Sequence, residues 1–359
     1  MAFHFHSLKV ASIKKETPDC VSVEFDIPEN LQSLFQFREG QNITIKKTIN
    51  GEELRRSYSI CNAPHERTLK VAIKKVDGGL FSSFANDELK KGDVLEIMPP
   101  TGKFNAHLSK EKAGNYLAIA AGSGITPVIS IIKHTLLTQP DSRFTLLYGN
   151  KSRGSIIFFD ELEALKNKFM NRFSFINILS REKTDADILY GRISKEKLEK
   201  LEPLIAYQTF ESAYICGPEE MIFTSSAFLQ EKGIPAANIH FELFTTPGKQ
   251  DKNKAVAIET SADEGPKSQI TIRLDDRSFS FELANKGQSI LDAALKQGAD
   301  LPFACKGGVC CTCRAKLVEG QVTMDVNYAL EPEEIEAGFI LTCQSHPVTE
   351  KVVVDFDVR

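Results

Sequence analysis

The chain has 359 residues, of which 42% are hydrophobic and 26% charged, and its formal net charge is −4. This length exceeds one ordinary hydrophobic core and predicts two or three domains of a globular protein. No stretch approaches the roughly 18 apolar residues of a membrane span, and the slight acidity argues against a nucleic-acid partner. The first ten residues show no secretory signal, so we expect a cytoplasmic protein.

The first hundred residues have the pattern of β structure. Short runs rich in β-branched and aromatic residues occupy residues 21–25, 42–47, 55–60 and 69–76, with turn signals between them. The dipeptide Asn50-Gly51 separates two of these runs and predicts a hairpin, because both residues tolerate positive φ. Many short strands at this spacing indicate a small antiparallel β-barrel.

After Pro99-Pro100 the pattern changes to alternating strands and helices. An apolar strand at 116–121 ends in Gly122-Ser123-Gly124 and precedes a helix. The predicted elements are the strands 116–121, 144–148, 173–179 and 214–216 and the helices 127–137 and 159–168. This alternation predicts a parallel, doubly wound α/β sheet.

A polar segment without periodicity follows and is predicted to be a linker. Beyond it, residues 269–274 and 278–283 form a hairpin pattern around Asp275-Asp276. Ser289 is the expected N-cap of a helix over 290–297, which Gly298 ends. We therefore divide the chain into residues 1–108, 109–244, a linker at 245–267, and 268–359.

Charge and cysteines are both unevenly distributed toward the C-terminus. From residue 268 onward there are 9 basic and 14 acidic residues, whereas the rest of the chain is nearly neutral. A solvated surface and an acidic docking face for a basic partner both account for this excess. The chain has eight cysteines, and five of them lie in the last sixth of the sequence, which indicates metal binding and not a disulfide framework.

The strongest motif is Cys305-x4-Cys310-x2-Cys313 followed by Cys343. This is the ligand spacing of a plant-type 2Fe–2S cluster. Structural zinc sites prefer two short cysteine pairs, so a zinc site is the weaker alternative. Cys311 is a spare thiol and is interpreted as a small loop residue.

The neighbouring glycines, Gly307 and Gly308, suit the same interpretation. Without side chains they let the loop curl around a cluster and point N–H groups at its sulfurs.

The sequence Cys-Lys-Gly-Gly-Val-Cys-Cys-Thr-Cys at 305–313 resembles a ferredoxin domain fused behind a flavin reductase. The stretches 324–330 and 351–355 resemble the reductase components of bacterial ring-1,2-phenylacetyl-CoA epoxidases. This resemblance covers essentially the whole chain. It implies a multi-domain fold: an FAD-binding β-barrel, a doubly wound NADP domain and a β-grasp ferredoxin domain.

Four segments in order resemble the FAD domain of ferredoxin–NADP reductases: 56–59, 72–74, 78–82 and 99–104. In this resemblance Arg56 neutralises the pyrophosphate, Tyr58 stacks on the flavin ring and Ser59 bonds near its reactive nitrogen. Gly79 lets the backbone approach phosphate. The flavin-binding residues so implied are Arg56, Ser57, Tyr58, Ser59, Ile73, Lys74, Gly79, Leu80, Phe81 and Ser82.

The glycine loop at 121–127 follows a strand and opens a helix, the context of a dinucleotide phosphate site. With the segment 216–221 it resembles the two nicotinamide motifs of the same family. Ser180-Arg181 resembles a 2′-phosphate site and favours NADPH over NADH, and Arg153 and Arg192 are further candidates. The implied nucleotide-binding residues are Gly124, Thr126, Ser180, Arg181, Cys216, Gly217, Pro218 and Met221.

The implied catalytic residues are Tyr58, Ser59, Cys216 and Glu242, of which Glu242 is equally consistent with a plain closing strand. We expect electrons to pass from NADPH through FAD to the cluster and then to a separate oxygenase, a multi-subunit di-iron epoxidase. The chain has no Glu-x-x-His motif of its own for a di-iron site. The alternatives are the reductase of another oxygenase or desaturase, a non-catalytic redox sensor and a zinc-stabilised adaptor.

Overall fold

A computed structural model describes residues 4–104, 113–244 and 266–358. The predicted boundary between residues 108 and 109 and almost all of the predicted linker at 245–267 lie outside these ranges. The chain forms two compact units: the larger holds Tyr58–Phe244 and most residues before it, and the smaller holds the C-terminal part. None of the helices in the described ranges combines the length and hydrophobicity of a membrane crossing.

The N-terminal sheet has six strands in the order β4-β3-β6-β1-β2-β5. A bridge between Ile60 and Val71 joins the two outer strands and closes the sheet toward a barrel. The barrel elements are β1 (His6–Thr17), β2 (Cys20–Asp26), β3 (Asn42–Ile49), β4 (Glu52–Ser59), β5 (Leu69–Lys74), α1 (Leu80–Asp87) and β6 (Val94–Thr101). The antiparallel pairs of this sheet confirm the predicted architecture.

The predicted hairpin is confirmed at the turn between β3 and β4. Asn50 has a φ of 53° and Gly51 a φ of 82°, the backbone that this dipeptide tolerates. Inside the barrel the apolar side chains of alternating strand positions form one core, to which Ile43, Ile73 and Ile97 contribute. This packed core supports strand β4 and so fixes the position of Ser59 at its end.

The second sheet of the larger unit has five parallel strands in the order β11-β10-β7-β8-β9. Its elements are β7 (Asn115–Ala121), α2 (Ile125–Thr138), β8 (Arg143–Asn150), α3 (Phe159–Lys168), β9 (Phe173–Leu179), α4 (Lys195–Lys200), β10 (Ser212–Gly217), α5 (Glu219–Glu231) and β11 (Ile239–Leu243). The doubly wound prediction is confirmed. The direction of winding reverses at β7, which has β8 on one side and β10 on the other. In sheets of this kind, ligands bind at this switch point, beyond the carboxyl ends of the strands.

The C-terminal unit is a mixed five-stranded sheet in the order β13-β12-β18-β14-β16. Its elements are β12 (Lys267–Leu274), β13 (Arg277–Ala284), α6 (Ile290–Lys296), β14 (Arg314–Glu319), β15 (Val322–Met324), α7 (Pro332–Glu336), β16 (Phe339–Leu341), β17 (Ser345–Pro347) and β18 (Lys351–Asp355). Strands β12 and β18 run parallel, and α6 packs into the core below them, as in a β-grasp. Ser289 caps α6 by accepting a hydrogen bond from the Asp292 N–H at 3.2 Å, as predicted.

Candidate functional site

Three of the predicted catalytic residues meet where the barrel faces the parallel sheet. Cys216 on β10 and Glu242 on β11 are directly opposite each other in the parallel register. The Ser59 hydroxyl, at the end of β4, donates a hydrogen bond of 3.1 Å to Glu242 Oε2. The structure thus brings together residues that are 183 positions apart in the chain.

The acid–base properties of this group follow from its burial. Desolvation raises the pKa of Glu242 to about 7, although the hydrogen bond from Ser59 opposes the shift. Desolvation also raises the pKa of the Cys216 thiol well above its ordinary value, and the nearby Glu242 adds to the effect. Cys216 is therefore a neutral thiol at neutral pH, while Glu242 is poised to gain or lose a proton.

The glycine loop packs directly on this group. A Cβ on Gly124 would lie 2.1 Å from the carbonyl oxygen of Cys216, so only glycine fits at this position. Thr126 is buried, and its hydroxyl donates to the Ser123 carbonyl at 3.0 Å. The loop opens α2, whose N-terminus carries the positive end of the helix dipole and suits a phosphate.

The second predicted nicotinamide segment lies beside this loop. A Cβ on Gly217 would approach the Met221 side chain to 2.6 Å and the Ala121 side chain to 3.1 Å. Pro218 is the N-cap of α5 and turns the chain away from the end of β10. Gly217, Pro218 and Met221 therefore form a tight corner beside Cys216.

In the barrel, Tyr58 and Phe81 lie close together. Their ring centroids are 5.7 Å apart with a tilt of 32°. Gly79 is the N-cap of α1, and a Cβ there would lie 2.5 Å from Ser82 Oγ. The Ser82 hydroxyl itself accepts from the Val76 N–H and donates to the Gly79 carbonyl, so this side chain fixes the turn.

The remaining predicted flavin residues have different surroundings. Ile73 is fully buried in the barrel core, while the Leu80 side chain is exposed at the first turn of α1. Arg56 is partly buried and donates to the Arg55 carbonyl at 2.8 Å, and Ser57 is the next residue of β4. Arg56 therefore places on this strand a guanidinium, the group that pairs with phosphate.

Lys74, at the end of β5, lies at the junction of barrel and sheet. Its Nζ is 3.6 Å from the Asp19 carboxylate, and a Cβ on Gly122 would be 3.7 Å from the same atom. The cation thus lies beside the glycine loop of the parallel sheet.

The predicted 2′-phosphate site lies at the ends of β8 and β9. The N–H of Ser180 and that of Arg181 donate to the carbonyls of Asn150 and Lys151, at 2.9 and 2.8 Å. Arg181 and Arg192 are both exposed. The backbone N–H of Arg153 donates to Glu182 Oε2 at 2.9 Å, which brings an acidic group to the same edge.

The four predicted cluster ligands form two pairs of thiols. The Cys310 thiol donates to the Cys305 sulfur at 3.1 Å, and Cys313 and Cys343 are hydrogen-bonded to each other. Among residues in the described ranges, no three His, Cys, Asp or Glu side chains surround one point as the ligands of a single ion do. Two pairs of thiols match two irons, each of which takes two protein ligands.

Backbone N–H groups surround these sulfurs. Gly307 N–H donates to Cys305 Sγ at 3.3 Å, and Gly308 N–H donates to Cys343. The hydrogen bond from the Cys310 thiol, assisted by the backbone N–H groups of Gly307, Val309 and Cys310, lowers the pKa of Cys305 to about 6, despite burial. The pKa of Cys343 is lowered in the same way, whereas the pKa values of their partners Cys310 and Cys313 are raised. One sulfur of each pair thus favours the thiolate, the form that binds iron, and the N–H-lined loop fits a 2Fe–2S cluster.

Cys311 and Gly308 both contact neighbouring loops of the C-terminal unit. Cys311 donates to the Ala329 carbonyl at 3.1 Å and belongs to neither thiol pair. Gly308 has a φ of 72°, and a Cβ there would lie 2.9 Å from the Val326 side chain. The loop that contains Val326 is thus packed on the cluster-binding loop.

Three known domain families match the parts of the chain that contain these residues. Residues 7–106 match the oxidoreductase FAD-binding domain, residues 118–226 the oxidoreductase NAD-binding domain and residues 272–348 the 2Fe-2S iron-sulfur cluster binding domain. The chain belongs to the family of flavin-dependent reductases that carry a C-terminal 2Fe–2S ferredoxin domain. It is an electron-transferring oxidoreductase whose cofactors are FAD, NAD(P)H and a 2Fe–2S cluster.

Individual relatives align over the full length. The chain is 46% identical to one component of the 1,2-phenylacetyl-CoA epoxidase of Escherichia coli K12, over 99% of this chain and 98% of that one. It is 32% identical to the ferredoxin reductase component of 3-ketosteroid-9-alpha-monooxygenase from Rhodococcus rhodochrous, over 97% and 96%. The solved phthalate dioxygenase reductase matches with a TM-score of 0.59 and 25% identity, over 98% of each chain.

Two residues near the site were not predicted from the sequence. The buried Tyr148 hydroxyl donates to the Gly122 carbonyl at 2.8 Å and so anchors the glycine loop. The second residue, Glu182, lies beside Ser180-Arg181 and accepts the hydrogen bond from the Arg153 N–H. Tyr148 lies within the apolar strand β8 and belongs to no motif. Glu182 directly follows Arg181, and its position was a usable signal.

We expect the rate of flavin reduction by NAD(P)H to fall as pH rises through about 7, because ionised Glu242 repels the incoming electron pair. Ser59→Ala removes a hydrogen bond that stabilises the carboxylate, so the inflection moves to higher pH. Glu242→Gln abolishes it. Stopped-flow flavin absorbance measures these rates, and an unchanged inflection in Glu242→Gln would contradict the assignment.

Proposed function

We propose that this chain is the reductase component of a phenylacetyl-CoA epoxidase complex, in which it passes electrons from NADPH through FAD and the 2Fe–2S cluster to the oxygenase component. The observation that carries the proposal is the 46% identity over 99% of the chain to the epoxidase component of Escherichia coli. The paired thiols in their N–H-lined loop support the terminal step. In this proposal residues 1–108 bind FAD, 109–244 bind the nucleotide and 268–359 hold the cluster.

When bound, FAD supplies the conversion from two-electron nucleotide chemistry to the one-electron chemistry of the cluster. The residues of the chain orient and protect this exchange. Tyr58 offers an aromatic face beside Phe81, and the helix start at Gly79 presents N–H groups to phosphate. Arg56 adds a positive charge on strand β4.

The group at the barrel–sheet junction handles a proton. Ser59 fixes the Glu242 carboxyl by the 3.1 Å hydrogen bond, and the raised pKa lets Glu242 hold a proton near neutrality. Cys216 and Thr126 supply a small, neutral surface around the glycine loop for the nicotinamide. Burial of these groups keeps water away from the path of the transferred hydride.

The cofactor preference is proposed to be NADPH. Arg181 and Arg153 lie at the ends of β9 and β8, where a 2′-phosphate of a nucleotide in this fold would lie. Glu182 opposes this preference, because a carboxylate at this edge can accept from a free 2′-hydroxyl. Because Arg181 and Arg153 outnumber Glu182 at this edge, the charges favour the 2′-phosphate of NADPH over the free 2′-hydroxyl of NADH.

The proposed partner is the oxygenase component of a multi-subunit di-iron epoxidase in the cytoplasm, where cluster thiols stay reduced. The acidic residues of the C-terminal segment, which outnumber basic ones by 14 to 9, suit a basic docking surface. A second candidate is the reductase of another oxygenase, since the 32% identical relative serves a ketosteroid monooxygenase. Reconstitution with each purified oxygenase distinguishes the two.

Replacement of one cluster ligand separates the two halves of the electron path. We expect Cys310→Ser to leave flavin reduction by NADPH near the wild-type rate and to abolish electron transfer to a one-electron protein acceptor, because only the second step needs the cluster. Cys311→Ser is the matched control and should retain both steps. Undiminished protein-acceptor reduction by Cys310→Ser would contradict the proposed order.

The nucleotide preference rests on Arg181. We expect Arg181→Ala to raise the KM for NADPH about tenfold or more with little change for NADH, because a charge-assisted hydrogen bond contributes about 1.5–3 kcal/mol. Lys183→Ala, which removes an exposed cation two residues further along the chain, is the control for general charge. Steady-state kinetics with both nucleotides measure the effect, and equal changes for NADPH and NADH would contradict a 2′-phosphate contact.

A further inference from the structure

One face of α2 is polar although it is buried. Thr126, Ser130 and Lys133 are spaced four and three residues apart and therefore lie along one side of the helix. Their exposed fractions are 3%, 0% and 5%, so none of these polar groups reaches water freely. Buried polar groups are costly unless they are bonded, and their partners show what this face contacts.

Ser130 and Lys133 each have a partner in the barrel. The Ser130 hydroxyl donates to the Asn62 carbonyl at 2.8 Å. The Lys133 ammonium lies 2.5 Å from Glu66 Oε1 and 2.6 Å from Glu161 Oε1. Asn62 and Glu66 lie in the segment that directly follows β4, whereas Glu161 is on α3 of the parallel sheet. Within the larger compact unit, this face thus ties the helix to the barrel.

The barrel side of the contact is itself fixed. Glu66 Oε2 accepts from the Ala63 N–H at 2.6 Å, and the Asn62 side chain accepts from the Lys70 N–H at 2.9 Å. The same Asn62 amide donates to the Thr68 carbonyl. The acceptors for Ser130 and Lys133 therefore sit in a rigid turn only a few residues beyond Ser59.

The charges around Lys133 are balanced across the two halves. Lys70 Nζ, from the barrel, is 3.9 Å from Glu161 Oε2, so two cations face two carboxylates. A buried ion pair of this kind contributes little net stability, because desolvation offsets the attraction. The ion pair instead fixes the relative position of helix α2 and the barrel. Removal of one partner leaves a buried charge without compensation, so the two surfaces must shift.

We propose that the Lys133–Glu66 ion pair, with the Ser130–Asn62 hydrogen bond, is a positioning element for hydride transfer from NAD(P)H to flavin. This inference rests on the proposed function. The segment 62–66 follows Ser59. Helix α2 begins at the glycine loop, and Thr126 in its first turn lies two turns before Lys133. The ion pair thus sets the separation of the nicotinamide and flavin halves, and Lys133 acts through that separation without touching either cofactor.

The test uses the full-length holoenzyme with Lys133→Met and Glu66→Gln. We expect the limiting rate of flavin reduction at saturating NADPH to fall about tenfold in each, since a small misplacement of reacting groups is costly. Flavin content and the Kd for NADP⁺ should stay within about twofold of wild type, because neither cofactor loses a contact. Stopped-flow absorbance and equilibrium titration give these quantities.

Two further variants complete the design. Glu231→Gln removes an ion pair of 2.7 Å between Lys195 and Glu231 that lies wholly within the parallel-sheet half, and it should leave the limiting rate unchanged. Lys133→Arg keeps the charge and should restore much of the rate. If Lys133→Met does not fold, Glu66→Gln carries the test, because its amide oxygen can still accept from Ala63 N–H.

A limiting rate near wild type in folded Glu66→Gln would overturn the proposal. So would a loss of rate that only follows lost flavin or weaker NADP⁺ binding, which would indicate a purely structural role. Failure of the underlying function has a different signature, since wild-type enzyme itself would then show no flavin reduction by NADPH.

Discussion

A hydrogen bond of 3.1 Å between Ser59 and Glu242 connects the barrel to the parallel sheet at the point where the proposed chemistry takes place. Ser59 ends a barrel strand, and Glu242 lies beside Cys216 in the sheet. Gly124 must be glycine because Cys216 occupies the space of a side chain. The helix that follows Gly124 is in turn tied to the barrel through Ser130 and Lys133. The proposed flavin and nicotinamide sites can meet at this junction of barrel and sheet only if all these contacts form together.

Elements with complete local signals could be predicted closely. The helix at Phe159–Lys168 and the strand at Phe173–Leu179 have the expected bounds, and Asp275 and Asp276 take the positive φ of the expected turn. Strand β1 could not be predicted, because register shifts between Val10 and Ser12 and near Thr17 interrupt its alternation. Strand β6 runs through Pro99-Pro100, a dipeptide whose usual meaning is the end of a strand.

The candidate site shows the same division between local and long-range information. The cysteines at 305–313 and the glycine at 124 could be predicted, because their spacing or loop context is contained in a few neighbouring residues. The partners of Lys133 and Tyr148 could not, since each contact joins separate elements and neither residue belongs to a motif. The chain boundaries assigned at 108 and 267 and the roles of single site residues remain predictions.

We expect one chain to conduct electrons from NAD(P)H through flavin to a 2Fe–2S cluster. The most direct measurement is the visible absorption spectrum of the purified protein under anaerobic conditions, before and after NADPH is added. We expect flavin bands together with broader, red-shifted iron–sulfur absorbance, both bleached by NADPH. Flavin bleaching with an unchanged or absent cluster contribution would contradict the electron path, and a colourless protein would contradict the assignment of both cofactors.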